Sequence, residues 1–166
     1  MWGLMILSYL CIAISIILLA LTGLQGYLQF HLLQANHPQF ALFTAIFYMF
    51  TQTLVMFYFI GSGTAIKKSI KMRAGETSLY EKVKKTKMIL FPHLTMNMLF
   101  IGTVFILGGA VQTGSVPGWI HGLLFDLAFI HFLYVIVIQH RGFKENVEII
   151  GKIAIIEAAA ANNSPA

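Results

Sequence analysis

The chain has 166 residues, of which 58% are hydrophobic and only 10% are charged. So few charged residues cannot cover a water-soluble globule of this size, and the composition therefore excludes an ordinary soluble domain and predicts an integral membrane protein. The net charge of +5 indicates contact with anionic lipid headgroups rather than with nucleic acid, because the basic residues stand beside apolar segments.

The first apolar segment covers residues 2–27 and is longer than the ~20 residues that a helix needs to cross a bilayer. No positive charge precedes Met5, so a retained anchor is predicted rather than a cleaved signal peptide. Cys11 lies inside this segment and is the only cysteine, which excludes an intramolecular disulfide. We interpret it as a small packing residue.

Residues 28–39 contain Asn36 and Pro38 and form the first predicted external loop. A second span follows at residues 40–66, and after it comes a strongly basic segment. Eight of the eleven Lys and Arg residues lie there, and all eight are predicted to contact anionic headgroups: Lys67, Lys68, Lys71, Arg73, Lys82, Lys84, Lys85 and Lys87.

Ser78 and Glu81 have the spacing of a capping box, which predicts the start of a helix that continues into the third span at residues 88–111. Pro92 is predicted to bend this helix, because proline removes one backbone hydrogen bond. Residues 112–118 leave room only for a tight turn, so the third span and the fourth, at residues 119–140, form an antiparallel hairpin.

The remaining basic residues, Arg141, Lys144 and Lys152, follow the last span. The positive-inside rule therefore predicts that the basic segment and both termini are cytoplasmic. Residues 143–156 are expected to form an amphipathic helix along the inner membrane surface, and residues 157–166 a disordered tail. The predicted fold class is thus an all-α, four-helix transmembrane bundle with one domain (1–156), most simply placed in a bacterial inner membrane.

Polar residues inside the spans define the first candidate site. A rise of ~1.5 Å per residue places Gln52, Asn97 and His131, from three different helices, in one intramembrane layer. One interpretation is that they hydrogen-bond across helices and only specify packing. The other is that His93 and His131 ligate a b-type haem between the third and fourth helices, because facing imidazoles are a common axial pair.

Asp126 is the only acidic residue within a span, and in hydrocarbon it must be neutral or paired. Thr22, Gln25 and Thr44 on other helices are its expected partners. A proton-handling or quinone-binding role is a further hypothesis for this carboxyl group.

Three histidines, His31, His37 and His121, approach the predicted external face and form a weak candidate site for copper or zinc. The chain lacks GxSxG, HExxH, paired intramembrane carboxylates and cysteine clusters, so no self-contained catalytic motif is present.

Three functions remain open from the sequence. The first is a membrane anchor or accessory subunit, working with other membrane subunits or with copies of itself, that holds one haem. The second is a structural or assembly protein without catalytic activity. The third is a small enzyme or carrier that acts on a lipid or a quinone.

Overall fold

The protein folds into four long helices, as seen in a computed structural model that describes residues 2–32, 34–71 and 77–162. The helices are α1 (Trp2–Leu28), α2 (His37–Lys71), α3 (Thr77–Gln112) and α4 (Gly118–Asn162). Each is long and apolar enough to cross a membrane, which confirms the predicted all-α class with four helices of spanning length. Arg73 of the basic segment lies outside the described residues.

The helices form an antiparallel bundle in which α3 packs on α4, α1 on α2, and α2 on α3, while α1 also contacts α4. We call the end with residues 29–36 and 113–117 the outer end, and the end with the basic segment the inner end. Two apolar clusters fill the interior. The inner cluster includes Ile12, Val55, Tyr58, Phe59, Leu90, Leu94, Val135 and Phe143, and the outer one Leu19, Tyr48, Ile101, Val104, Ala128 and Phe132.

Large apolar side chains also cover the outside of the bundle. Ile46, Ile106 and Ile130 are 62%, 72% and 63% exposed. An apolar surface of this extent is unfavourable in water, because every exposed apolar side chain costs hydration free energy. Lipid chains are the solvent that this surface fits.

The turns at the outer end fix where α2 and α4 begin. The Asn36 side chain accepts a hydrogen bond from the Gln39 backbone N–H at 3.1 Å, and the Gln39 side chain accepts one from the Asn36 N–H at 3.1 Å. This reciprocal capping box sets His37 in the first turn of α2. Gly114, with φ of 72°, ends α3 in the left-handed conformation that glycine adopts most easily.

Helix α4 differs from its prediction, because it continues without a break past Arg141 to Asn162. The stretch 143–156, expected as a separate surface helix, is its continuation. Phe143, Asn146 and Ile149 are buried there, and the Asn146 side chain donates a 2.7 Å hydrogen bond to the Ser62 hydroxyl on α2. Packing against α2 and α3 therefore holds this stretch in the bundle. Of the predicted disordered tail, 157–162 are helical and 163–166 lie outside the described residues.

Helix α3 begins at Thr77, next to the predicted capping box, and runs through Pro92 to Gln112. The same helix therefore carries basic residues at its inner end and the candidate residues His93 and Asn97 further along the span. The bend at Pro92 stays a prediction.

Close packing at Gly142 gives a first testable expectation. A Cβ atom there would lie 2.9 Å from Cζ of Phe59 and 3.2 Å from the Thr86 methyl group, and Phe59 is fully buried. We expect Gly142→Ala to lower the free energy of unfolding by ~1–3 kcal/mol, the usual cost of overpacking. Gly151→Ala on the same helix is the control, because a Cβ there meets nothing within 4 Å. Unfolding in mixed detergent micelles would measure both, and equal effects would contradict the packing described here.

Candidate functional site

The most connected polar group in the bundle centres on Asn97 of α3, which is fully buried. Its side-chain oxygen accepts a hydrogen bond from the Tyr48 hydroxyl on α2. Its side-chain nitrogen donates to the Ala128 carbonyl at 2.9 Å and also lies 2.9 Å from Nδ1 of His131, both on α4. One amide thus joins three helices, as the packing hypothesis predicts for this layer.

These contacts determine which nitrogen of His131 carries the proton. A carbonyl oxygen only accepts hydrogen bonds, so the atom of Asn97 that faces Ala128 must be the donating nitrogen. The same nitrogen faces Nδ1 of His131, which therefore accepts. A neutral imidazole has a single N–H, so the proton of His131 resides on Nε2.

That Nε2 atom is buried and makes no hydrogen bond within the described part of the chain. Nδ1 of His93 is in the same situation. The two rings face each other across the α3–α4 interface, with centroids 5.7 Å apart and an interplanar angle of 42°. Burying a polar nitrogen without a partner costs on the order of 1–3 kcal/mol. Two such nitrogens on neighbouring rings therefore mark a place where a ligand or a water molecule would be stabilising.

Aromatic rings surround this histidine pair. Tyr134 meets His93 edge-on at 5.4 Å, and Phe100 meets His131 edge-on at 5.6 Å. Tyr134 is 55% exposed on the outside of the bundle, and Met96, which precedes Asn97 in the sequence, is 40% exposed. Both imidazole rings of the pair are half-buried.

Gln52, predicted in the same layer, belongs to a different contact. It accepts a 2.6 Å hydrogen bond from the Gln139 side chain, and both residues are fully buried. This pair joins α2 to α4 closer to the inner end. The structure therefore brings Asn97 and His131 together as predicted, whereas Gln52 is held by a partner that the sequence analysis did not single out.

At the outer end, His37 and His121 come together, with ring centroids 6.2 Å apart and planes 77° from parallel. His31 does not complete a three-histidine site. Among the described residues, no group of three His, Cys, Asp or Glu side chains is close enough to hold a metal ion. The predicted external cluster is thus reduced to a pair.

Asp126 lies on the exposed side of α4, where its carboxylate accepts a 2.7 Å hydrogen bond from the Tyr27 hydroxyl on α1. The expected partners make other contacts. Thr22 and Thr44 bond to each other at 2.9 Å, and Gln25 donates to the Ala35 carbonyl at 2.9 Å. The expectation was wrong because the carboxyl group points to the α1–α4 surface and not to the interior.

Two further pairs of hydroxyl groups join α1 to α2. Ser15 of α1 donates to the Thr51 hydroxyl of α2 at 3.0 Å, and Thr22 pairs with Thr44 across the same interface. Such small polar residues let helices approach closely and add about 1 kcal/mol or less per hydrogen bond. Each hydroxyl group in these two pairs has a hydrogen-bond partner, which fits a packing role.

Sequence reasoning missed Tyr48, Gln139 and Tyr27 as partners. Tyr48 gave a signal, since it stands four residues before Gln52 on one helix face and a phenol in hydrocarbon needs a hydrogen-bond partner. Gln139 and Tyr27 lie at the borders of the predicted spans. Polar residues are common at such positions, so the sequence did not indicate that these two make specific contacts.

Comparison with protein-family models, with curated proteins and with solved structures finds no match for this chain.

Proposed function

We propose that this protein is a small integral membrane subunit that binds the carbonyl group of a membrane-soluble molecule at His93 and His131, with prenylated quinones as the ligand class. The observation that carries the proposal is the buried Nε2 of His131, which has no hydrogen-bond partner among the described residues and which carries the ring proton if Nδ1 accepts from Asn97. A carbonyl oxygen of the ligand would accept a hydrogen bond from this N–H.

The surroundings of the histidine pair support a flat, apolar ligand. Phe100 and Tyr134 supply aromatic faces and edges, which suit a conjugated ring. The exposure of Tyr134 on the bundle surface gives a path from the lipid. Ligand sites of this kind combine apolar and aromatic walls with a few polar groups that fix the orientation of the ligand.

A b-type haem between His93 and His131 is the second candidate, favoured by Nδ1 of His93, which has no hydrogen-bond partner in the part of the chain that the structure describes. Haem ligands coordinate iron through a nitrogen lone pair. Nε2 of His131 offers one only if its proton moves to Nδ1, and then Asn97 must turn its amide and give up its hydrogen bond to Ala128. The haem proposal therefore needs a rearranged Asn97, and the quinone proposal does not.

One preparation tests both candidates. We expect protein purified in mild detergent to yield quinone on organic extraction at close to one molecule per chain, and to bind a short-chain quinone added back after delipidation. A visible spectrum, oxidised and dithionite-reduced, with a pyridine haemochrome assay on the same sample, is expected to show no stoichiometric haem. A stoichiometric b-type signal would replace the quinone proposal with the haem proposal. If neither quinone nor haem were found, both proposals would fail, and the polar residues around His93 and His131 would have only a packing role.

A role as an accessory subunit is supported by the Tyr27–Asp126 pair. Asp126 and Tyr27 are both exposed on the lipid-facing side of α1 and α4. A carboxyl group in contact with hydrocarbon is costly, and coverage by another membrane subunit, or by a second copy of this chain, removes that contact. The pair therefore favours a protein that works within an assembly.

The proposed orientation places the inner end in the cytoplasm of a bacterial cell. The bundle puts its basic residues at this end, where Lys67 lies 5.6 Å from the ring centroid of Tyr80 and Lys82, Lys84 and Lys85 are exposed. Anionic headgroups of the inner leaflet are the proposed partners of these residues. Their attraction contributes about 1 kcal/mol of binding free energy per basic residue near the surface.

Cysteine labelling tests this orientation. We expect a membrane-impermeant maleimide to label Ser115→Cys, in the exposed outer turn, on intact cells. Lys85→Cys is expected to react only after the membrane is permeabilised. The native Cys11 is buried and gives little background, and unsubstituted protein is the control. The opposite labelling pattern would reverse the proposed topology.

A further inference from the structure

The outer histidine pair differs chemically from the inner one. His37 lies beside the backbone carbonyl of Thr22 on α1, and His121 lies beside that of Val104 on α3. A neutral imidazole that donates its single N–H to such a carbonyl keeps the lone pair of its second nitrogen for a ligand. Metal-binding histidines commonly have this arrangement, since the carbonyl fixes both the tautomer and the ring orientation.

Glycines allow both rings to approach the neighbouring helices closely. A Cβ at Gly26 would lie 3.1 Å from Cε1 of His37, and one at Gly108 would lie 3.3 Å from Cε1 of His121. The imidazoles therefore pack edge-on against the backbones of α1 and α3, where a larger residue would crowd them. Nδ1 of each ring is buried and has no partner within residues 2–32, 34–71 and 77–162.

We infer that His37 and His121 bind one cuprous ion at the outer end of the bundle. Two nitrogens that ligate one ion through bonds of ~2.0 Å lie ~4 Å apart, and ring centroids 6.2 Å apart are compatible with that separation. Imidazole suits both copper and zinc, so the number of ligands decides between them.

The ligand number favours Cu(I). Zinc sites use at least three protein ligands, and no third His, Cys, Asp or Glu joins the pair among the described residues. A divalent ion with two neutral ligands would also keep its full charge in a low-dielectric environment, which is costly. Cu(I) carries a single charge and is stable with two nitrogen ligands in a linear arrangement.

Anaerobic titration of the full-length protein in detergent with Cu(I), against a chromogenic Cu(I) chelator, tests the inference. We expect one Cu(I) per chain, with an X-ray absorption spectrum of two nitrogen ligands. His37→Ala and His121→Ala are each expected to weaken binding by about 100-fold, at the upper end of the effect that even indirect partners of a metal produce. His31→Ala and His140→Ala are the matched controls and should bind like the unsubstituted protein.

Circular dichroism and size-exclusion chromatography would show whether the variants fold. If an Ala variant does not fold, His37→Gln or His121→Gln replaces it, because glutamine keeps a polar side chain and removes the imidazole. Full Cu(I) binding by a folded variant of either residue would overturn the site. An equal loss in His31→Ala would overturn the two-ligand geometry, and tighter binding of Zn²⁺ than of Cu(I) would overturn the assignment to copper.

Discussion

Replacing His131 with phenylalanine is expected to weaken quinone binding about tenfold. Phenylalanine keeps a ring of similar size against Phe100 and Tyr134 but has no N–H for the carbonyl oxygen of the ligand. The net value of one neutral hydrogen bond is ~0.5–1.5 kcal/mol, and a tenfold change in affinity corresponds to ~1.4 kcal/mol. Isothermal titration calorimetry of the delipidated protein with a short-chain quinone measures the change in affinity.

Two control variants locate the effect. His140→Phe changes a histidine on the same helix that instead bonds to the Tyr9 hydroxyl at 2.9 Å, and it should leave the affinity unchanged. Asp126→Asn changes the other residue for which the sequence suggested a quinone role, and it too should have no effect, because Asp126 lies on the α1–α4 surface with Tyr27. Unaltered affinity in His131→Phe, or an equal loss in Asp126→Asn, would contradict the proposed site.

The four-helix architecture was predictable because it depends on quantities that a sequence carries directly. Span length is set by bilayer thickness, and the limits of the spans follow from the basic segment, the polar break around Asn36 and the turn around Gly114. The short turn between α3 and α4 requires the two helices to be neighbours, and they do pack together. None of these inferences needs the rotation of a helix about its axis.

The rotation decides which polar side chains meet, and there the sequence was less informative. Estimated depth correctly placed Asn97 beside His131, yet it also placed Gln52 in their layer, whereas Gln52 pairs with Gln139. Depth depends only on rise per residue, while contact also depends on the angular position of each side chain. Asp126 illustrates the same limit, because depth alone suggested partners in the interior and the side chain lies on the outside.

The inner part of α4 was missed for a different reason. Arg141, Lys144 and Lys152 mark the end of an apolar span, but the helix that carries them continues. Its buried residues, Phe143, Asn146 and Ile149, form one face that packs against α2 and α3 at the inner end of the bundle. Hydropathy reports where lipid contact ends and carries no information on packing between helices beyond that point.

The proposed function depends on which nitrogen of His131 carries the proton. That position could be inferred only from the structure. Sequence supplied both histidines and Asn97, and it supplied the expectation that polar groups in hydrocarbon need partners. The Ala128 carbonyl, a backbone atom, determines the direction of the Asn97 amide together with the Tyr48 hydroxyl, and through the amide it determines the tautomer of His131. Backbone acceptors have no signature in a sequence.

The Asn97 amide should also dominate the stability of the bundle interior. We expect Asn97→Leu to lower the free energy of unfolding by ~2 kcal/mol, because Tyr48 and His131 lose a buried partner. Tyr48→Phe alone should cost about 1 kcal/mol, within the range found for polar contacts between membrane helices. Reversible unfolding in mixed detergent micelles measures both.

A double-mutant cycle separates the Tyr48–Asn97 hydrogen bond from general packing. In Tyr48→Phe/Asn97→Leu the loss should be smaller than the sum of the single losses by ~0.6–1.7 kcal/mol, since the bond is removed only once. Ser15→Ala is the matched control, because its hydroxyl bonds to Thr51 on another interface, and its effect should add to that of Asn97→Leu within ~0.5 kcal/mol. Strict additivity for Tyr48 and Asn97 would show that the phenol and the amide do not interact, and the tautomer argument for His131 would lose one of the contacts that orient Asn97.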